Sequence, residues 1–207
     1  MWSAGIYNIK QGGKMKKSLG ANTLVYPTPV WVIGTYGEKN EANVMTAAWG
    51  GICCSKPPCV AVSLREATYS HGNIVRNKAF TVNVATEKYA AEVDYFGIST
   101  GRNVDKLAVC GLTPKKSELV NAPYLGEFPL ILECSLVKIV EIGLHTQFIG
   151  EIMDVKCDEA VIGVKDVPDI EKLRPLVFSP GSRRYHAVGD FIGDAFSIGK
   201  KYRQKGS

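Results

Sequence analysis

The sequence predicts a mainly β fold with peripheral helices, built as one strand-dominated domain closed into a barrel. Three observations carry that expectation. Runs of β-branched and aromatic residues of strand length recur between Gly, Pro and Asn punctuation. Helical periodicity is confined to three short segments. Two long alternating segments, Leu130–Val140 and Phe148–Val155, are joined through Leu144–Gln147, which is too short for a crossover helix, so they pair antiparallel.

Taken in order, Val30–Tyr36 is the first strand after Pro27 and Pro29, and it closes at the hairpin loop Gly37-Glu-Lys-Asn. Val44–Trp49 is the next strand, with Gly50-Gly51 as a break after it. Pro57-Pro58 precede Cys59–Leu64, whose near-continuous apolar character marks a strand buried on both faces. Thr68 then caps a helix over Tyr69–Asn77, and Ala79–Val84 follows as a strand with alternating sides. A second helix covers Glu87–Phe96, Thr100-Gly-Arg-Asn is a turn, and Asp105–Val109 is a short helix. The last third is rich in Gly and aromatic residues and ends in a cationic tail.

Composition narrows the function classes. The chain has 207 residues, 45% of them hydrophobic and 22% charged, which excludes wholesale disorder. No apolar run approaches the roughly 18–20 residues of a membrane helix. The net charge of +5 resides in the ends: without Lys10, Lys14, Lys200, Lys201, Arg203 and Lys205, 19 basic residues face 20 acidic ones. The body therefore has no concentrated basic surface of the kind nucleic acids require. Six cysteines without a CxxC motif and three scattered histidines give a metal site little to stand on. Small buried thiols in a reducing cytoplasm are the simpler reading, and a soluble cytoplasmic protein is the expectation.

Residues 1–14 differ in character from the rest of the chain and read as a leader outside the native domain. Gln11-Gly-Gly-Lys-Met15 back-translates as CAA-GGA-GGT-AAA-ATG, the purine-rich form of a bacterial ribosome-binding site just before a start codon. Translation from Met15 is the expectation, and a native terminus at Met1 or Trp2 by mass spectrometry would refute it.

The motifs exclude several chemistries. The nucleophile elbow GxSxG, the Walker loop and the dinucleotide fingerprint GxGxxG are all absent. A cofactor held by backbone amides and hydroxyls is left open. Asn43-Val-Met-Thr-Ala-Ala-Trp-Gly is a strand ending in small residues, whose backbone a planar group could approach. Ser63-Leu-Arg-Glu-Ala-Thr-Tyr-Ser sets hydroxyls and a guanidinium where a strand feeds a helix N-terminus, an arrangement suited to a phosphate. Each residue also has a plainer reading: capping for Thr68 and Ser70, a solvated charge for Arg65, core packing for Trp31 and Trp49, and a packed or capping imidazole for His145.

These motifs together carry a resemblance. Asn43–Trp49, Ser55-Lys-Pro-Pro, Ser63–Ser70, Phe80-Thr-Val-Asn and Gly143-Leu-His-Thr-Gln-Phe-Ile-Gly-Glu-Ile are similar, in that order, to segments of the FMN-binding flavin reductase-like family, in its flavoredoxin branch. The similarity runs from about Met15 to Lys200, and several motifs in register make it specific. It implies that residues 15–207 form one FMN-binding split β-barrel with a Greek-key core, working as a homodimer with FMN near the interface. It places Thr46, Ala47, Ala48 and Trp49 beside the flavin ring system. Ser63, Leu64, Arg65, Thr68, Tyr69 and Ser70 hold the ribityl chain and phosphate, and Asn83 stands where the family often has a polar ring contact. Phe96, Ser99 and Lys106 are additional contacts, and His145 corresponds to the catalytic histidine near flavin and nicotinamide.

One departure matters. The family's frequent Gly-Asp-His is here Gly143-Leu-His, so the acidic neighbour of the imidazole is missing. The resemblance implies an oxidoreductase moving electrons through FMN, with NAD(P)H or a redox protein as donor. A non-enzymatic FMN-binding electron carrier serving a protein partner is the alternative, and a module that only sequesters FMN is a third. No metal, nucleic acid or membrane is expected.

Overall fold

Strand-forming runs dominate the computed structural model, which describes residues 15–203; the expectation for residues 1–14 lies outside the described residues. In chain order the strands and helices are β1 (Thr28–Pro29), β2 (Trp31–Tyr36), β3 (Ala42–Ala47), β4 (Gly50–Ser55), β5 (Pro58–Arg65), α1 (Tyr69–Asn77), β6 (Ala79–Val84) and α2 (Ala90–Ile98). There follow α3 (Lys106–Cys110), β7 (Pro114–Lys116), β8 (Pro123–Leu125), β9 (Leu130–Ile142), β10 (His145–Cys157), α4 (Ile170–Leu173), β11 (Val177–Ser179) and β12 (Arg184–His186). No helix of the described residues is long and apolar enough to cross a membrane.

Seven strands form an antiparallel sheet in the order β3-β2-β6-β9-β10-β5-β4. Its two outer strands, β3 and β4, are consecutive in sequence and joined by Ala48 and Trp49 alone. Two intervening residues span at most about 10 Å, so the sheet has to curl until its edges nearly meet. Register shifts beside Gly150, Asp154 and Cys54 are bulges that supply the bend. The split barrel that the resemblance implies is thus present: β3 and β4 are not hydrogen-bonded to each other, and closure is made by the chain.

Two apolar cores lie on either side of this sheet. Inside the curl, Ile33, Val62, Leu64, Phe80, Val82 and Phe148 pack together, each no more than 1% exposed. Outside it, Val32, Val44, Val93, Phe96, Leu125 and Ile131 join the sheet to α2 and the β7–β8 ribbon. Burial of each such side chain stabilises the fold by roughly 1.5–3 kcal/mol. Ala79–Val84, expected to alternate, is buried over its first five residues because the two cores take both of its faces.

Four expectations need correcting in detail. Gly50-Gly51 begins β4 and does not break the chain. Trp31 lies over Gly50, and a β-carbon there would stand 2.3 Å from its ring. The helix over Glu87–Phe96 is a 3₁₀ turn, Glu87–Tyr89, followed by α2. The helix over Asp105–Val109 begins one residue later, since Asp105 is its cap. The β9–β10 connection is only Gly143-Leu144, with Gly143 at φ +51°, so His145 is the first residue of β10 and not part of a loop.

Candidate functional site

The antiparallel pairing of β5 with β10 sets His145 opposite Arg65 and Gln147 opposite Ser63. Directly opposed residues share a face and successive residues alternate. Leu64 and Thr146 therefore point into the barrel, while Ser63, Arg65, His145 and Gln147 point outward. Trp49 joins this outer face, because the Ser63 amide donates to its carbonyl at 2.8 Å.

At the end of β5 the chain turns into α1. The Thr68 amide and hydroxyl both donate to the Arg65 carbonyl, at 3.0 and 2.9 Å. The hydroxyl is thereby used in the turn and does not make the helix cap that the sequence led us to expect; α1 has neither a side-chain cap nor an acidic residue in its first turn. Its leading N–H groups and positive end remain available to an anion. They open on a cleft of about 380 Å³ that also touches Arg65, Thr68, Tyr69, Ser70, Phe96, Ser99 and Lys106. Arg65 is exposed, and its guanidinium makes no hydrogen bond or ion pair within the described residues.

Lys106 reaches the same cleft from α3. Asp105 caps that helix, accepting from the Leu107 and Ala108 amides at 3.0 Å, and so fixes the lysine at its first turn. The ammonium donates to the carbonyls of Phe96 and Ser99, both at 3.2 Å, at the C-terminal end of α2. It is buried, and no carboxylate pairs with it within the described residues; burial lowers its pKa to about 8. A buried cation without a counter-ion, an unpaired guanidinium and an uncapped helix start all face one volume.

Polar side chains brace this end. Asn43 donates to Thr35 and Ser70 at 3.0 and 2.9 Å, while its carbonyl oxygen is buried without a partner. Tyr69 donates to Glu41, which lowers the carboxyl's pKa and raises the phenol's. Arg102 donates to the Ala67 carbonyl at 3.0 Å and stacks over the Tyr69 ring at 5.3 Å, tying the 100–103 turn to the strand–helix corner. Only its place in a Gly-containing turn was legible in the sequence.

About 7 Å back along β5 a second cavity opens, of about 360 Å³, bounded by Val25, Trp49, Ser63, Ile142 and His145 among others. Its walls are largely apolar. His145 is half-buried there and its ring makes no hydrogen bond within the described residues. Beneath it, on the inner face, the Thr146 hydroxyl donates to Glu141 at 2.8 Å and stands 2.9 Å from Nε2 of His71. A hydroxyl has one proton, and a carboxylate only accepts, so Nε2 of His71 is the donor in that contact. Neither His71 nor Glu141 carried a signal in the sequence, since α1 and the β9–β10 hairpin bring them together from afar.

The structure thus gathers most of the expected residues into two neighbouring clefts. Thr46 bonds the Val93 carbonyl and joins β3 to α2. Ala47 and Leu64 send their side chains into the core and can offer only backbone, and Ala48 is half-buried at the corner between β3 and β4. Asn83 is not brought to either cleft: it is fully buried, donates to Val32 and Thr81, and accepts from the Leu125 amide at 2.8 Å. Within the described residues no group of three or more His, Cys, Asp and Glu is placed to hold a metal.

Comparison with known proteins places this geometry. Residues 23–187 match the flavin reductase like domain. The flavoredoxin of Desulfovibrio vulgaris (Miyazaki F) is 53% identical and superposes with a TM-score of 0.86 over 90% of this chain and 100% of that one. The flavoredoxin from Methanosarcina acetivorans is 30% identical with a TM-score of 0.83, over 93% of this chain and 100% of that one. A high molecular weight rubredoxin of Moorella thermoacetica is 37% identical over 102 residues, 48% of this chain and 43% of that protein.

Proposed function

Because the chain belongs to the flavin reductase like domain family and is a flavoprotein oxidoreductase of the flavoredoxin type, we propose that its flavin is FMN, laid along β5 with its phosphate at Arg65 and its ring at Trp49. The carrying observation is the pairing of two unlike volumes on one strand. One is lined by Arg65, Lys106 and a helix start without a cap; the other is apolar and bounded by Trp49, Ser63, Ile142 and His145. A long ligand with a charged end and a planar end fits both; the orphaned Asn43 Oδ1, an acceptor, fits a hydroxyl donor on that ligand, and the counter-ion-free Lys106 fits its anionic group.

FMN supplies, when bound, the hydride and single-electron chemistry. The chain's part is to bind, orient and exclude water. Arg65, Thr68, Tyr69, Ser70 and the leading amides of α1 hold the phosphate and ribityl chain. Lys106 reinforces them while it anchors the Phe96 and Ser99 carbonyls. The backbones of Thr46, Ala47, Ala48, Trp49 and Leu64, with the Ser63 hydroxyl, position the ring system. His145 borders the ring face without a protein partner and is free to orient a donor there. A homodimer is supported by the exposed apolar side chains of the β9–β10 hairpin, Val137, Ile142, Leu144, Met153 and Val155. The six cysteines, all without a disulfide, suit a reducing cytoplasm.

A nicotinamide nucleotide is the first reading of the electron donor. A protein donor is the second, supported by Leu144 in place of the acidic neighbour and by the partial match to a protein named as a rubredoxin. Anaerobic titration of the FMN-loaded protein with NADPH and then NADH separates them. Bleaching of the visible band within seconds at stoichiometric nucleotide establishes a reductase, whereas a band that yields only to dithionite establishes a carrier. Failure to load FMN overturns the whole reading.

A further inference from the structure

We propose that Cys54 and Cys59 are a reactive dithiol, which low-molecular-weight disulfides convert into a cross-strand disulfide on the β4–β5 hairpin. The ladder sets Cys54 directly opposite Cys59, one step in from the closing pair Ser55 and Pro58. Opposed residues of an antiparallel pair have Cα atoms about 4.5–5.5 Å apart and side chains on one face. That separation falls within the roughly 4.4–6.8 Å spanned by disulfides. Adjacent Cys53 is the more obvious partner from sequence alone. However, the register shift between Ile52 and Cys54 makes Cys53 the bulge residue, with no residue opposite it. Cys134 packs in the core inside the barrel, among Phe80 and Phe148.

The two thiols divide the chemistry. Cys54 is exposed and open to attack on a small disulfide, whereas Cys59 is buried. Burial raises the Cys59 pKa, and Cys54, Cys53 and Glu151 nearby raise it further, so it stays protonated until a partner sulfur is delivered to it. The Cys54 thiolate attacks one sulfur of the reagent, whose S–S bond breaks; a mixed disulfide forms and one half leaves as thiolate. Cys59 then gives its proton to solvent base and attacks the Cys54 sulfur, expelling the other half. Two protein thiols are oxidised and one reagent disulfide is reduced to two thiols, with no electron passing through a flavin. The bridge closes a loop of only six residues, too short to constrain much of the unfolded chain, so its significance is chemical. It stands independently of the proposed cofactor.

The test treats the full-length protein with oxidised glutathione and follows it by intact mass and non-reducing tandem mass spectrometry. The expected product has lost two hydrogens and resists fragmentation between Cys54 and Cys59. The Cys59→Ser variant should instead accumulate a glutathione adduct on Cys54, and Cys54→Ser should form no intramolecular bridge. A Cys53–Cys54 or Cys53–Cys59 bridge, a persistent adduct on the native chain, or no reaction at Cys54 would each overturn the proposal. The native protein gives the primary readout, so a variant that fails to fold does not blunt it.

Discussion

The two faces of the β5–β10 pair divide the labour of this protein. On the inner face Val60, Val62, Leu64 and Phe148 are sealed in the barrel core; on the outer face Ser63, Arg65 and His145 border open clefts. One stretch of backbone serves both, because side chains alternate with a period of two. The inner face is interlocked, so each residue there is held by its neighbours. The outer face is loosely held, with the Arg65 guanidinium and the His145 ring making no hydrogen bond within the described residues. Changes inside should therefore act on stability, and changes outside on ligand and electrons.

The largest expected effect breaks the inner face. Phe148 is fully buried opposite Val62 and meets the His71 ring edge-on at 5.0 Å. Phe148→Ala leaves a cavity there and should destabilise the fold by about 3–5 kcal/mol. Thermal and urea unfolding of the flavin-free protein will show it, and flavin should be lost only as the fold is lost. Next comes the outer face of the same pair. Arg65→Ala should leave unfolding unchanged and weaken FMN by about 1.5–3 kcal/mol, a factor of about 10–150 in Kd. Unchanged affinity by isothermal titration would place the phosphate elsewhere.

The division was partly legible in the sequence. β-branched runs and turn residues located most strands, and the Ser63–Ser70 stretch showed a strand end feeding a helix start because those residues are contiguous. What escaped depends on distant packing. Gly50 reads locally as a break, and only the overlying Trp31 explains it as part of a strand. The split in the barrel was expected from the family resemblance and not from local pattern, because it depends on which strands end up at the edges. Arg102 and the His71–Thr146–Glu141 chain are assembled by tertiary contacts alone. Asn83 has the right chemistry for a ring contact, yet β2 and β8 take its side-chain amide through Val32 and Leu125.

A smaller effect sharpens the outer face through pH. Lys106 has its pKa lowered by burial from 10.5 to about 8. Between about pH 8 and 10.5 the unfolded chain holds a proton that the folded, ligand-free chain has released, so stability should rise with pH across that window. Binding an anion favours the charged ammonium, and above pH 8 it must draw a proton in. FMN affinity should therefore fall above pH 8, by at most tenfold per pH unit, while Lys106→Met should be flat there, being weaker below pH 8. A pH series of FMN titrations on both proteins checks this. An identical slope in the two would show that Lys106 serves only the α2 carbonyls.

The smallest expected change in affinity discriminates most between the readings of function. His145 has no hydrogen bond to lose, and its ring borders the apolar cavity beside Trp49 and Ser63. His145→Ala should therefore retain FMN with a Kd close to that of the native protein. If a nicotinamide nucleotide docks against this face, the variant should slow the bleaching rate at fixed nucleotide while leaving dithionite reduction untouched. If the donor is a protein, the nucleotide is inert in both forms and the variant changes only the rate with that protein. Loss of FMN from a variant whose unfolding midpoint is unchanged would make the imidazole a cofactor ligand. The outer face would then be as interlocked as the inner one once the flavin is in place, and the contrast between the faces would hold only for the empty site.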